Sequence, residues 1–238
     1  MMRAVVLVGG ETSAPREAAG VFPTALVAVG GGRPVIEIVL RQLARAGCDH
    51  ATVAGGRAAV EPVRARVRDG APLGLRVDYA VEKRPLGTVG PVVRLRDLPD
   101  SFLVVPGDVL FDLALRRLFA RHVRRGAAVT VVARNTTMQA RHSVLEVDDE
   151  GRLRGVLDKP GWRFLGRLGV WAMRREALEG LVPGTPYPID VLLLDLLLAE
   201  KRVDVERTTG VWLDLGVREE RERAEATWST LRARLDPP

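Results

Sequence analysis

The sequence is poor in the residues that build metal clusters and disulfide frameworks. Its 238 residues include one cysteine, Cys48, and three histidines, His50, His122 and His142. A single cysteine excludes an internal disulfide and fits a reducing compartment, so a cytoplasmic location is expected. The histidines lack metal-ligand spacing, and no Ser-His-Asp or Cys-His arrangement stands out. Zinc chemistry and triad hydrolysis are therefore not predicted.

Long apolar runs and targeting signals are also missing. The longest apolar run, VLLLDLLLA at 191–199, contains Asp195 and is too short to span a bilayer. It predicts a buried helix. The first residues show neither the cationic region nor the small-residue cleavage site of a signal peptide. No membrane partner is expected.

Aromatic residues make up only 5% of the chain, and lysine is scarce. The net charge is +6, but the cations are dispersed and few aromatics interleave them, so no nucleic-acid partner is predicted. Of the 36 lysines and arginines, only Lys83, Lys159 and Lys201 are lysines. A retained lysine indicates a place where a compact point charge is preferred to a planar guanidinium.

The first 140 residues contain apolar, β-branched runs that alternate with helical patterns. The runs lie at 4–8, 51–54, 75–82, 102–108 and 127–133, and the helical patterns at 34–46, 58–69, 87–96 and 111–125. This alternation predicts an α/β chain with a Rossmann-like three-layer α/β/α architecture and a mostly parallel mixed sheet. Ligands of such sheets bind beyond the carboxyl ends of the strands.

The pattern changes after residue 140. A hairpin, a strand at 164–173, the helical segments REALEGL and PIDVLLLDLLLAEK, and the strand pair VDVERTTGVWLDLG follow in that order. An amphipathic C-terminal helix is predicted at 217–235. We predict a single domain over 1–238, in which 140–175 forms a lid or hairpin subregion.

A glycine pair, Gly9 and Gly10, follows the first strand. Such a pair predicts a backbone cradle for phosphates. A polyphosphate site normally also carries Arg or Lys. The only cation between Gly9 and Val29 is Arg16, so this loop has too few charges for a triphosphate.

Other candidate residues lie in short motifs further along the chain. Asp108, after Gly107, ends a buried strand, where a carboxylate can hold Mg²⁺ against phosphate oxygens or act only as a turn residue. Asp214 is a second candidate ligand from a distant strand. Lys159 precedes Pro160 and is either a phosphate-binding charge or a solvated strand end. Thr88 is predicted to cap the helix after it, unless the N–H groups there bind a base or sugar.

Taken together and in order, these motifs resemble the sugar-1-phosphate nucleotidyltransferases, or NDP-sugar pyrophosphorylases. The resemblance runs from Arg3 to about Ala224. It rests on the glycine pair, GRPVIEIVLRQLARAG, EKRPLGTVGP, PGD, DKP, GVW and VWLDLG. It implies the nucleotidyltransferase (GT-A-like) fold and the joining of a sugar 1-phosphate to an NTP with release of pyrophosphate, assisted by Mg²⁺.

The resemblance also implies roles for individual residues. Asp108 and Asp214 would bind the metal, and Lys159 and Arg16 would act in catalysis. Asp158, Lys159 and Gly169 would contact the sugar phosphate. They lie on the side that the 140–175 subregion would cover. The nucleotide-binding residues would be Val8, Gly9, Gly10, Glu82, Leu86, Gly87 and Thr88.

Two positions depart from the family pattern. The family loop reads glycine-glycine-x-glycine-threonine-arginine, with a Pro-Lys pair after it. This chain has Ala14 at the arginine position and Thr24 at the lysine position, while Pro23 is kept. Arg16 is a partial substitute.

Three functional hypotheses follow from these departures. The chain is an active but altered nucleotidyltransferase, or an impaired homologue that binds a nucleotide or nucleotide sugar as a regulatory or partner subunit. The third, a nucleotide-sugar-dependent glycosyltransferase, is a minor option because no acceptor-binding domain is evident. Either a homodimer or a hetero-oligomer with an active homologue is compatible with the sequence.

Overall fold

The computed structural model describes residues 2–9 and 23–237. Its strands are β1 (Met2–Val8), β2 (Ala28–Val29), β3 (Arg33–Pro34), β4 (Cys48–Gly56), β5 (Arg76–Glu82), β6 (Ser101–Pro106), β7 (Val109–Phe111), β8 (Val129–Gln139), β9 (Val144–Val147), β10 (Leu153–Leu157), β11 (Gly161–Arg174), β12 (Val203–Arg207) and β13 (Trp212–Asp214). Its α-helices are α1 (Val35–Ala46), α2 (Arg57–Val67), α3 (Gly90–Val93), α4 (Leu115–Arg125), α5 (Ile189–Leu198) and α6 (Arg218–Leu235). Short 3₁₀ turns occur at Thr24–Leu26, Ala71–Leu73 and Arg175–Leu178.

Seven strands form the central sheet, in the order β12-β8-β11-β6-β1-β4-β5. Strands β6, β1, β4 and β5 are mutually parallel, β12 is parallel to β8, and β11 runs antiparallel to both of its neighbours. The predicted mostly parallel mixed sheet is therefore confirmed. The carboxyl ends of β1, β4, β5 and β6 lie along one edge, where the candidate residues lie.

Helices cover both faces of this sheet and bury two apolar cores. The alternation along β1 shows the arrangement, since Val5 packs into the core that contains α5 and Val6 into the core that contains α1, and both are fully buried. Strands buried on both faces are apolar at nearly every position. The three-layer α/β/α prediction is confirmed.

Several sequence-based element predictions need correction. The predicted helix at 87–96 is the single turn α3, and the helix predicted from 111 starts at Leu115 because Val109–Phe111 forms β7. The two strands predicted as a pair do not pair with each other: β12 lies beside β8, and β13 lies beside β7. The segment REALEGL forms only the 3₁₀ turn Arg175–Leu178.

The helix predicted to be buried at 191–199 is buried on one face only. In α5, Leu192 is 2% exposed and Leu196 8%, whereas Leu194 is 61% and Leu198 84% exposed. Within residues 2–9 and 23–237, no helix is long and apolar enough to cross a membrane.

Beyond the carboxyl edge of the sheet, β8 and β11 continue as a two-stranded arm. Gly161 pairs with Gln139 at its outer end, and Arg167 pairs with Ala133 where the arm joins the sheet. The predicted hairpin forms from β9 and β10, which pair antiparallel. Since β11 then continues between β8 and β6, the 140–175 subregion is continuous with the main sheet.

Candidate functional site

The carboxyl end of β6 is held tightly against β1. The Gly107 N–H donates to the Leu7 carbonyl at 2.8 Å. A Cβ on Gly107 would lie 2.7 Å from Val8 Cγ1 and 3.0 Å from Ile36 Cδ1. The close packing at this position therefore favours glycine. The close packing fixes the backbone from which Asp108 projects.

Asp108 and Asp214 are neighbours across a short antiparallel pair. In the β7–β13 register, Asp214 lies opposite Val109. The Leu215 N–H donates to the Asp108 backbone carbonyl at 3.1 Å. The Gly216 N–H donates to Asp214 Oδ1 at 2.9 Å, so the second carboxylate is also oriented by the backbone. The structure therefore brings the backbones of these two candidate ligands together.

Thr24 contacts the first of these aspartates. Its hydroxyl donates to Asp108 Oδ2 at 2.7 Å, and Asp108 is only 9% exposed. The sequence pointed to Thr24 only as the residue in place of a lysine. Its hydrogen bond was missed, because the two residues lie 84 positions apart.

The chemistry of the two aspartates suits a magnesium ion that also binds the phosphate groups of a substrate. Carboxylate oxygens are the ligands that Mg²⁺ prefers, and it usually takes one or two of them together with substrate phosphates and water. Among residues 2–9 and 23–237, no group of three or more His, Cys, Asp or Glu side chains forms a self-contained metal cluster. Water, and phosphate oxygens when a ligand is bound, would complete the coordination of a cation here.

Glu82 ends β5 further along the same edge, opposite Gly56. It is 9% exposed, and its Oε1 has no hydrogen-bond partner among the described residues. Burial raises the pKa of the Glu82 carboxyl, while Arg94 and a hydrogen bond from the Leu86 backbone lower it in part. Glu82 and Arg94 line a cleft of about 90 Å³.

The Leu86-Gly87-Thr88 segment is bound to the entry of α5. The Tyr187 N–H donates to the Leu86 carbonyl at 2.8 Å, and a Cβ on Gly87 would lie 3.0 Å from the Tyr187 carbonyl. The Thr88 hydroxyl accepts the Ile189 N–H at 2.8 Å. The prediction that Thr88 caps the helix after it was wrong: α3 is one turn, and Thr88 caps the distant helix α5 instead.

Of the predicted phosphate loop, the structure describes only the first glycine. Val8 ends β1 beside Gly55, and Gly9 has φ +73°. A Cβ on Gly9 would lie 2.8 Å from the Ala59 Cβ of α2, so only glycine fits the turn without a shift. Gly10, Ala14 and Arg16 lie outside the described residues.

The predicted sugar-phosphate residues lie along the arm. Gly169 is next to the site, since a Cβ there would lie 3.3 Å from Pro106 at the end of β6. Asp158 and Lys159 are exposed at the outer end, where the Ser143 hydroxyl donates to Asp158 Oδ1 at 3.1 Å. Ten strand residues correspond to roughly 30 Å along β11. Lys159 and Gly169 therefore lie towards opposite ends of the arm.

Comparison with known proteins places this geometry in a family context. The chain is 24% identical over 220 residues to the mannose-1-phosphate guanylyltransferase catalytic subunit beta of Drosophila pseudoobscura pseudoobscura, covering 90% of this chain and 59% of that protein. It is 26% identical over 225 residues to the mannose-1-phosphate guanyltransferase of Pichia angusta, covering 90% and 61%. The chain thus spans about three fifths of these relatives.

Solved structures share the fold at low sequence identity. HddC from Yersinia pseudotuberculosis, complexed with GMP-PN, matches with a TM-score of 0.71 and 18% identity, over 96% of this chain and 100% of that one. A candidate glucose-1-phosphate thymidylyltransferase from Bacillus anthracis, in complex with sucrose, matches with a TM-score of 0.75 and 18% identity, over 95% and 94%. The nucleotidyl transferase family model matches residues 3–220. The chain therefore belongs to the nucleotidyl transferase family.

Proposed function

We propose that this chain transfers a nucleotidyl group from an NTP to a sugar 1-phosphate, or a similar phosphate, and releases pyrophosphate. The observation that carries the proposal is the pairing of β7 with β13, which makes Asp108 and Asp214 neighbours at the carboxyl edge of the sheet. Two carboxylates at this edge supply the negative charge that a phosphate-bound cation requires.

The role proposed for each residue follows from where it lies. Asp108 and Asp214 would hold Mg²⁺, which supplies charge neutralisation at the phosphates when it is bound. The turn at Gly9 would position the nucleotide phosphates, and Glu82 with the Leu86–Thr88 segment would contact the base and sugar. Gly169 and the arm residues Asp158 and Lys159 would bind the sugar phosphate, whose oxygen attacks the α-phosphorus in line with the departing pyrophosphate.

GTP and mannose 1-phosphate are the first substrate pair to test, because the relatives described above are named for that reaction. A cytoplasmic location, in keeping with the lone buried Cys48, is part of the same proposal.

The test is pyrophosphate release from paired NTPs and sugar 1-phosphates with Mg²⁺ or Mn²⁺. Asp214→Asn is expected to lower the rate at least a hundredfold, because losing one electrostatic contact to a transition state typically costs about that much. The matched control, Asp112→Asn, changes an aspartate that pairs with Arg234 at the other end of β7, and should remain active. If no pair releases pyrophosphate, the proposed transfer is wrong.

A second candidate is an impaired homologue that binds a nucleotide or nucleotide sugar and serves as a regulatory or partner subunit. Ala14 and Thr24 favour it, because they stand where the resemblance expects two cations for the triphosphate. Titration calorimetry separates the candidates, since binding of GDP-mannose without turnover of GTP supports the second. Activity created by Ala14→Arg with Thr24→Lys would also favour it, whereas wild-type turnover at the rate of the double variant would exclude it.

A further inference from the structure

Thr24 has a positive role in this site, beyond the absence of a lysine. We propose that Thr24 is a positioning residue that orients the Asp108 carboxylate for a divalent cation. The contact is the 2.7 Å hydrogen bond from the Thr24 hydroxyl to Asp108 Oδ2. The inference rests on the proposed function only in taking Asp108 and Asp214 as the cation site.

Two hydrogen bonds hold the backbone that carries the Thr24 hydroxyl. The Thr24 carbonyl accepts the Val27 N–H at 3.0 Å, and the Val27 carbonyl accepts the Val35 N–H at 2.9 Å, at the start of α1. Ala25, in the same 3₁₀ turn, is 1% exposed and packs in the core. These contacts hold the backbone from which the Thr24 hydroxyl reaches Asp108.

Each aspartate accepts a hydrogen bond from a neutral donor. Thr24 donates to one oxygen of Asp108, and the Gly216 N–H donates to one oxygen of Asp214. A neutral donor fixes the plane of a carboxylate and leaves its negative charge to attract a cation. Hydrogen-bond partners of this kind hold metal ligands in their binding geometry, and their loss typically weakens metal affinity 10- to 100-fold.

An ammonium at position 24 would act differently. A lysine within reach of Asp108 would offset the carboxylate's charge and so compete with a cation for it. The neutral Thr24 hydroxyl contacts the carboxylate without offsetting its charge in this way.

The experiment measures binding of Mn²⁺ alone to the full chain, by the loss of the free-ion electron paramagnetic resonance signal. Thr24→Val keeps the side-chain shape and removes the hydroxyl, so the affinity should fall about tenfold or more. Thr24→Ser keeps the hydroxyl and should bind within about threefold of wild type, by the same reasoning. Thr227→Val is the matched control, because it removes a threonine hydroxyl bond to the Arg223 carbonyl on α6. It should bind as wild type does.

The variants also separate this inference from the proposed function. Asp108→Asn should abolish the measured binding, and circular dichroism should show that all variants fold. Equal affinity of Thr24→Val and wild type, failure of serine to rescue, or Mn²⁺ binding that survives Asp108→Asn would each overturn the role of Thr24. If Thr24→Val binds Mn²⁺ more weakly but the chain turns over no NTP, the positioning role of Thr24 is supported and the proposed transferase function is wrong.

Discussion

At the residue scale, the site depends on short side chains that have specific partners. Thr24 and Thr88 are both threonines that follow apolar or glycine-rich motifs, yet one binds a carboxylate and the other caps a helix far along the chain. Local sequence suggested a capping role for Thr88 and marked Thr24 only as the residue in place of a lysine. It could not show which partner each would find, because both partners come from distant segments.

Glu82 yields a pH-dependent prediction at this scale. Burial raises the pKa of the Glu82 carboxyl in the folded chain above its ordinary value of 4.5, so the folded chain holds this proton more tightly than the unfolded chain does. Stability from this group is fully present below 4.5 and is lost as the pH rises through the raised folded pKa. Glu82→Gln should therefore match wild type at low pH and exceed it in free energy of unfolding at pH 8, measured by urea denaturation.

A matched substitution controls for the general effect of removing a carboxylate. Glu61→Gln, on α2, gives up an exposed pair with Arg64 and relieves no burial, so it should gain no stability at pH 8. A stability difference between Glu82→Gln and wild type that is independent of pH would refute the burial argument.

At the element scale, periodicity predicted the presence of most helices and strands but not which of their faces are covered. Apart from Asp190 and Asp195, helix α5 is apolar on all sides, a composition typical of a buried helix. In the structure it lies on one face of the sheet and packs through Ile189, Leu192 and Leu196. The sequence predicted the helix correctly and its burial wrongly, because composition does not record how many neighbours surround an element.

Two leucines of α5 test this difference. Leu192→Ala removes a side chain that is 2% exposed and should lower the free energy of unfolding by about 2–5 kcal/mol. Leu198→Ala changes the same residue type on the same helix at 84% exposure, and should stay within about 0.5 kcal/mol of wild type. Equal losses in chemical denaturation would show that the outer face of α5 is buried in solution.

At the scale of the whole molecule, α6 ties the end of the chain to the turn between β2 and β3. The Gly30 N–H donates to Glu225 Oε2 at 2.9 Å, and a Cβ on Gly30 would lie 1.8 Å from Trp228 Cδ1. Gln42 of α1 donates to the Leu235 carbonyl at 3.0 Å. The closure of α6 over α1 therefore supports the turn that leads from Thr24 into the first helix.

Gly30 and Gly31 provide a matched pair for this contact. Both have positive φ, +59° and +65°, so alanine at either position costs about 1–2 kcal/mol of backbone strain. Only Gly30→Ala also displaces Trp228, and it should be less stable than Gly31→Ala by a further ~1–3 kcal/mol. Thermal unfolding monitored by tryptophan fluorescence measures the difference, and equal stabilities would show that α6 does not press on this turn.

By itself, the sequence determined the fold class, most of the elements and the residue types of the site. The alternation of apolar and polar segments predicts which segments are buried. Motifs such as PGD and VWLDLG contain the carboxylates that indicate a cation site. Only the tertiary structure decided that β13 pairs with β7, that Thr24 reaches Asp108, and that one face of α5 stays exposed. Those contacts join segments far apart in the chain, where the packing of the sheet edge and its covering helices, rather than local pattern, selects the partner.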